Sequence, residues 1–404
     1  MKSLMDLLEE NKESVGSRLD RLIEELCPDG VEYKTLESVT DYIKNGFTYV
    51  VDKTTIKKYK VTRIETISKG KINLKKVATV DSIDKKYKLI EGDILFSHIN
   101  SLEYLGNTAY YTKKYGELYH GMNLLCFRFL KNILNPKFCY YIFKCEYFKK
   151  YIKKYAKHSC NQYSLSISTI NKWLIPVPPL SVQQEIVRIL DTFTELEAEL
   201  EAELEARKKQ YEYYAKSLFI NLDNVITYKL IDICNNISTG KLNANAMIEN
   251  GKYPFFTCGY DISRINTYAF NTTAMLIAGN GNIGDVKFYS GKFNAYQRTY
   301  VISGFKDTVI DKFVYYYTKV LFKEYINKFI KKSVLSYITL PMLQNFQISV
   351  PPLSEQQRIV DILDRFDALC NDLTSGLPAE IAARRKQYEY YRDKLLTFKE
   401  KSHG

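Results

Sequence analysis

No run of about 18 consecutive apolar residues occurs in the chain, so no membrane-spanning helix is expected. The first residues, MKSLMDLLEENKESVG, are acidic and lack a continuous apolar core, which argues against a secretory signal. The eight cysteines form no CxxC pair and follow no regular spacing. They read as reduced thiols of a cytoplasmic protein. Four scattered histidines leave no pattern for a zinc site. No GxxxxGK[ST] loop is present, and no Ser/His/Asp or paired-carboxylate arrangement stands out. No cofactor and no catalytic residue are therefore expected.

What the chain does have, it has twice. VPPLSVQQEIVRILDTF (177–193) returns as VPPLSEQQRIVDILDRF (350–366), identical at 13 of 17 positions. ARKKQYEYY (206–214) returns as ARRKQYEYY (383–391) with one change. A repeat of this length exceeds any solenoid unit and marks two domain-sized halves. Between the copies the halves differ, and charge follows the difference. Residues 31–176 carry 26 Lys and Arg against 12 Asp and Glu, and residues 225–349 carry 14 against 7. The repeated segments and the first 30 residues are neutral or acidic. Basic surfaces attract polyanions, and phosphate neutralisation supplies nucleic-acid affinity.

Five segments are expected: a helical lead (1–30), a first globular domain (31–179), a long helix (180–224), a second globular domain (225–352) and a second long helix (353–404). In the lead, Leu19, Leu22, Ile23 and Leu26 keep helical spacing until CPDG (27–30) stops it. A basic aromatic helix is expected near Phe138–Tyr155. Ser181 reads as the N-cap of the first long helix, with Gln184 as its capping-box partner. Apolar positions then alternate by four and three through Ile186, Leu190, Phe193, Leu200, Leu204, Tyr211, Tyr214 and Leu218. That is a coiled-coil seam, interrupted by Glu197 and Arg207. The second helix repeats it through Ile359, Leu363, Phe366, Cys370, Leu373, Ile381, Tyr388, Tyr391 and Leu395. SGLP (375–378) should break it, with Gly376 at C′ and Pro378 opening a new helix.

The two unlike domains share a fainter pattern and so a fold: VEYKTLESVTDYIKNG parallels ITYKLIDICNNISTG, and DILFSHIN parallels AMLIAGNG. GNGNIG (279–284) matches GxGxxG, but the strand-like DVKFY after it makes it a turn between strands. The residue types that read base edges fall in three matched places. The loops offer His98, Asn100 and Ser101, and Asn280 and Asn282. The Gly-led segments offer Tyr119, His120 and Asn123, and Gln297 and Arg298. The Ser-rich turns offer Asn161, Gln162 and Ser166, and Ser333, Ser336 and Tyr337. Lys149, Lys150 and Lys153, with Lys328, Lys331 and Lys332, are candidate phosphate contacts on the basic aromatic helices.

These motifs together resemble the specificity (S) subunits of type I restriction–modification systems, over nearly the whole chain. NPKF (135–138), by contrast, only faintly matches the adenine-methyltransferase Asn-Pro-Pro-aromatic motif and lacks its second proline. The resemblance implies an α+β protein with two α/β target recognition domains separated by two long antiparallel coiled-coil helices. Each domain would read one half of a bipartite, asymmetric double-stranded DNA site. The helices would set the spacing and dock two methyltransferase subunits, with restriction subunits joining the complex. S-adenosylmethionine, ATP and Mg2+ would belong to those partners. Gln183, Gln184, Ile186, Leu190, Phe193, Tyr211 and Tyr214 would contribute docking or seam contacts. So would Gln356, Gln357, Ile359, Leu363, Phe366, Tyr388 and Tyr391. A helix of about 38 residues spans roughly 57 Å, or about 17 base pairs. The alternatives are a self-contained methyltransferase or nuclease, a coiled-coil adaptor with basic nucleic-acid-binding domains, and an inactive or phase-variable specificity allele.

Overall fold

The computed structural model describes residues 18–48, 58–67, 70–159, 162–330, 337–371 and 376–401. Asn161, Lys331, Lys332, Ser333, Ser336 and Leu373 lie outside the described residues. The chain divides into two compact units, Met1–Glu199 with Ala382–Gly404, and Leu200–Ile381.

In the first unit, β1 (Thr40–Asn45), β2 (Ile94–Ser97), β3 (Thr108–Tyr110) and β4 (Leu124–Phe129) form an antiparallel sheet of order β1-β4-β2-β3. β2 is buried on both faces, which is why it reads as the unbroken run ILFS. Helix α1 (Pro136–Ile142) and helix α2 (Glu146–Tyr155) follow. The single basic aromatic helix expected here is thus two. The break lets Phe143 and Phe148 stack with ring centroids 4.6 Å apart. Five residues apart on one continuous helix, they would point in different directions. Both rings also meet Phe96 of the sheet.

In the second unit, β5 (Cys234–Thr239), β6 (Phe270–Ala278), β7 (Val286–Ala295) and β8 (Thr299–Phe305) repeat that order as β5-β8-β6-β7. Two further strands extend it, Tyr253–Phe256 pairing parallel with β7 and antiparallel with Ser263–Ile265. The first unit spends its extra chain differently, on the pair Tyr59–Val61 with Ala78–Val80. In each unit a two-stranded ribbon ties the domain's first strand to its last: Tyr33–Thr35 with Leu174–Pro176, and Ile226–Lys229 with Gln347–Val350.

Three long helices carry the repeated segments: α3 (Leu180–Ile220), α5 (Leu353–Asn371) and α6 (Leu377–Leu395), with α4 (Asp311–Ile330) between them in the second domain. Helix α3 starts earlier than Ser181. The Pro179 carbonyl accepts from the N–H groups of Val182 and Gln183, so Pro179 holds the capping position and Ser181 is exposed. Pro352 does the same for Glu355 and Gln356. Gly376 opens α6, its carbonyl accepting from Ala379 and Glu380, instead of closing the helix before it.

The repeated glutamines explain why the blocks are so alike. Gln183 is fully buried. Its amide donates to the carbonyls of Pro178 (2.7 Å) and Ile133 (3.0 Å), and its oxygen accepts from Asn135 N (2.7 Å). Gln356, equally buried, donates to Pro351 (2.8 Å) and Thr308 (3.1 Å) and accepts from Ile310 N (2.8 Å). One aspartate extends each clamp. Asp191 accepts from Lys137 and Tyr141, and Asp364 accepts from Lys312 and Tyr316. Gln183 and Gln356 therefore bind their own domain, and their neighbours Gln184 and Gln357 are exposed.

Within the first unit, α6 runs antiparallel to the start of α3: Phe193 stacks on Tyr391 at 5.6 Å and Glu197 pairs with Arg385 at 2.7 Å. Glu197 interrupts the apolar seam, and Arg385 answers it. Ile186 and Leu190 are fully buried and Tyr388 nearly so. Within the second unit, Leu200 and Leu204 pack on Leu377 and Ile381, and Tyr211 meets Phe366 at 6.2 Å. Ile359 and Leu363 are buried beside them. Tyr214 departs from the seam expectation, being 48% exposed. The only tryptophan, Trp173, is buried in the first unit and reports its unfolding. Gln183→Ala would leave three backbone groups at this junction without their partner and should lower stability by about 3 kcal/mol, whereas exposed Gln184→Ala should change it by less than about 0.5 kcal/mol. Urea titration followed by Trp173 fluorescence checks both.

Candidate nucleic-acid interface

The same corner of each domain gathers described members of the three groups of candidate residues. In the first unit, β2 ends at Ser97, and the His98 carbonyl accepts from Leu165 N at 2.9 Å, which brings in the Ser-rich turn. In the second, the loop after β6 does this with Gly279, whose carbonyl accepts from Ile338 N at 2.8 Å. The start of β4, or of β8, lies beside that loop: Gly279 N donates to the Arg298 carbonyl at 2.9 Å. Each corner is closed by a glycine that admits no side chain. A Cβ on Gly46 would sit 2.2 Å from the Gly121 carbonyl oxygen, and one on Gly240 would sit 1.7 Å from that of Ala295.

The chemistry at these corners differs. In the first, Asn100 pairs with Tyr163 in a small sheet, donates to the Ser97 hydroxyl (3.1 Å) and accepts from Ser101 N (2.8 Å). Ser101 and Gln162 are exposed. Ser166, also exposed, caps a short helix by accepting from Thr169 N at 3.2 Å. Asn123 holds a positive φ of 65°, which asparagine tolerates better than most residues.

His98, Tyr119 and His120 are buried. Tyr119 donates to Glu117 at 2.9 Å. The His120 ring lies 3.1 Å from the Tyr87 carbonyl and packs edge-on against Tyr42 and Tyr87. Burial pushes His98 down to about 4, so it is neutral near pH 7. These three side chains build the corner from within, a distinction that residue type alone does not carry.

In the second corner, a cleft of about 500 Å3 is lined by Thr239, Gly279, Gln297, Arg298, Tyr300 and Tyr337. Arg298 is exposed and no described residue pairs with its guanidinium. Gln297 donates to Asn243 at 2.7 Å, which holds its amide upright. Asn243 had no signal in the sequence. Tyr337 is 42% exposed. GNGNIG is the hairpin loop between β6 and β7, with Asn280 and Asn282 half-buried at its tip. Loop glycines Gly281 and Gly284 have positive φ, as a tight turn demands.

The flanking helices add charge. On α2, Phe148 and Ile152 face the core, leaving Lys149, Lys150 and Lys153 exposed. Lys328 is exposed on α4. Among the described residues no helix is long and apolar enough to cross a membrane, and no His, Cys, Asp or Glu cluster could hold a metal.

Comparison with known proteins accounts for this double construction. The family described as "Type I restriction modification DNA specificity domain" matches residues 28–206 and again 223–383. The chain is similar to the putative type I restriction enzyme MjaX specificity subunit of Methanocaldococcus jannaschii, 30% identical over 85% of this chain and 88% of that one. It is 43% identical to the EcoDI specificity subunit of Escherichia coli over 32% of this chain and 28% of that one. Among solved structures, the S subunit from M. genitalium has a TM-score of 0.55 at 19% identity, covering 91% of this chain and 96% of that chain. A chain from a study of assembly and conformational transition in the type I R-M system reaches 0.62 at 16% identity, over 91% and 97%. Both likenesses concern the fold. The chain belongs to the family of type I restriction–modification specificity subunits.

Proposed function

We propose that this chain gives a type I restriction–modification complex its DNA sequence specificity and performs no chemistry itself. Residues 31–179 and 225–352 each read one half of a bipartite, asymmetric site in double-stranded DNA. The observation that carries this reading is the pair of corners: one framework, closed by the same glycines, presents different polar side chains in each domain. A repeated framework with unlike reading groups is what two unlike half-sites require.

The base-reading role falls to the exposed members: Ser101, Gln162 and Ser166 with half-buried Asn100 and Asn123 in the first domain, and Gln297, Arg298 and Tyr337 with Asn280 and Asn282 in the second. Arg298 is suited to a guanine, since a free guanidinium reaches both major-groove acceptors of that base. Lys149, Lys150, Lys153 and Lys328 are suited to phosphates.

The repeated helices carry the partners. Tyr213 and Tyr390, equivalent in the two ARxKQYEYY blocks, are 72% and 64% exposed. Each packs edge-on against the next tyrosine, at 5.5 and 5.4 Å. Two equivalent exposed tyrosines fit two copies of one methyltransferase subunit, with restriction subunits completing the complex in the cytoplasm. S-adenosylmethionine, ATP and Mg2+ enter with those subunits.

Base-resolution methylation mapping in a host expressing the chain with its methyltransferase partner tests the proposal. A split adenine-methylated motif should appear only when this chain is present. No new motif, although the complex forms and binds DNA, would refute the proposal. Exchanging residues 225–349 for those of a relative should change one half of the motif; a change in both halves or in neither would refute the division of labour. Arg298→Ala should cost about 1–3 kcal/mol of base discrimination at one position of that half and leave the other half intact. The purified chain without partners should transfer no tritiated methyl group from S-adenosylmethionine to DNA.

A further inference from the structure

We infer that a cavity in the first unit binds a phosphate group. The cavity, of about 690 Å3, lies among the loop of residues 102–108, helix α2 and helix α6. Five basic side chains line it: Lys144, Lys149, Lys153, Arg385 and Arg392. The carboxylates of Glu103, Glu197 and Glu389 line it too. Most of this charge is committed. Arg385 pairs with Glu197 at 2.7 Å, Arg392 with Asp393 at 3.0 Å, and Lys149 with Glu146 at 3.5 Å. Exposed Lys153 and half-buried Lys144 have no ion-pair partner among the described residues. The Lys144 ammonium donates to the Tyr140 hydroxyl and lies 4.1 Å from that ring's centre. Burial first, then Lys71 and Arg392, lower it to about 8, against Glu197.

The second unit serves as the control, because it contains the same lysine. Lys319 occupies the equivalent place, over the equivalent Tyr315 at 5.2 Å, but there Asp367 meets it at 3.1 Å. Thr194 stands where Asp367 does, its hydroxyl turned back to the Asp191 carbonyl at 2.8 Å. The twin's carboxylate is thus replaced by a hydroxyl, while Arg392, answered by Asp393, and Glu197, answered by Arg385, stand where the twin has Ala215 and Cys370. A half-buried ammonium without a counter-ion is unfavourable, and an anion from outside supplies what Thr194 does not.

A phosphate suits the space and the donors better than a carboxylate. It brings more charge and more acceptor oxygens, enough for Lys144 and Lys153 with an N–H that Asp393 leaves free on Arg392. Leu102, Leu105, Phe143 and Tyr388 leave apolar wall for an organic group attached to it. A soluble phosphorylated molecule and the DNA backbone both offer this chemistry.

Inorganic pyrophosphate titrated into the full chain at pH 7 by calorimetry tests the inference, and its result does not depend on whether the domains read DNA. One saturable site per chain is expected. Thr194→Asp, which installs the second unit's own carboxylate, and Lys144→Met should each weaken it about tenfold or more, the worth of one charge-assisted contact. Thermal melts by circular dichroism establish that both variants fold, and Thr194→Asp is native-like in kind. No saturable binding by the wild type, or equal affinity in Thr194→Asp, would overturn the inference. Repeating the titration with saturating duplex DNA identifies the source. Loss of the site means that the DNA backbone fills it, and retention means a soluble phosphate.

Discussion

A buried amide holds each half of this protein together. Gln183 and Gln356, both fully buried, each satisfy one backbone N–H and two carbonyls. Every one of those groups lies at the junction between a recognition domain and its helix. A buried donor or acceptor left unpaired costs about 1–3 kcal/mol, so three at one junction fix its geometry firmly. The proline pair before each glutamine supplies the helix-opening carbonyl, and the aspartate about two turns beyond adds a lysine and a tyrosine. The orientation of each reading corner relative to its helix follows from that clamp.

Much of the architecture was legible because it rests on periodicity and repetition. The seam, the long helices, the hairpin at GNGNIG and the shared fold of the unlike domains all follow from residue patterns. Partners in space did not show. Gln183 and Gln184 are indistinguishable in the text of the repeat, and only the backbone of residues 133–135 decides which one is buried. The break between α1 and α2 contains no proline or glycine; it follows from the stacking of Phe143 on Phe148 against the sheet. Ser181 has the right chemistry for a cap and is displaced by a proline carbonyl two residues earlier.

The candidate interface was legible by region and illegible by side chain. Three segments far apart in sequence do meet in each domain, as the parallel patterns implied. Yet His98, Tyr119 and His120 are buried beneath the corner they were expected to furnish, His120 against Tyr42 and Tyr87 and Tyr119 against Tyr59. Asn243, which holds Gln297, stood outside every motif. Polar residues in a recognition loop divide between those that reach outward and those that support them, and burial makes that division.

The clamp has a consequence for inheritance. The groups that each glutamine grips are backbone groups, so beyond the lysine and tyrosine that the aspartate takes, the reading domain is free to vary around them. The two 17-residue blocks are near copies, each with the glutamine and the aspartate in the same register. A crossover anywhere inside the block would therefore deliver a complete clamp to whichever domain arrives. New combinations of half-sites can be assembled by exchange of whole domains, with no intermediate that has to fold through a broken joint.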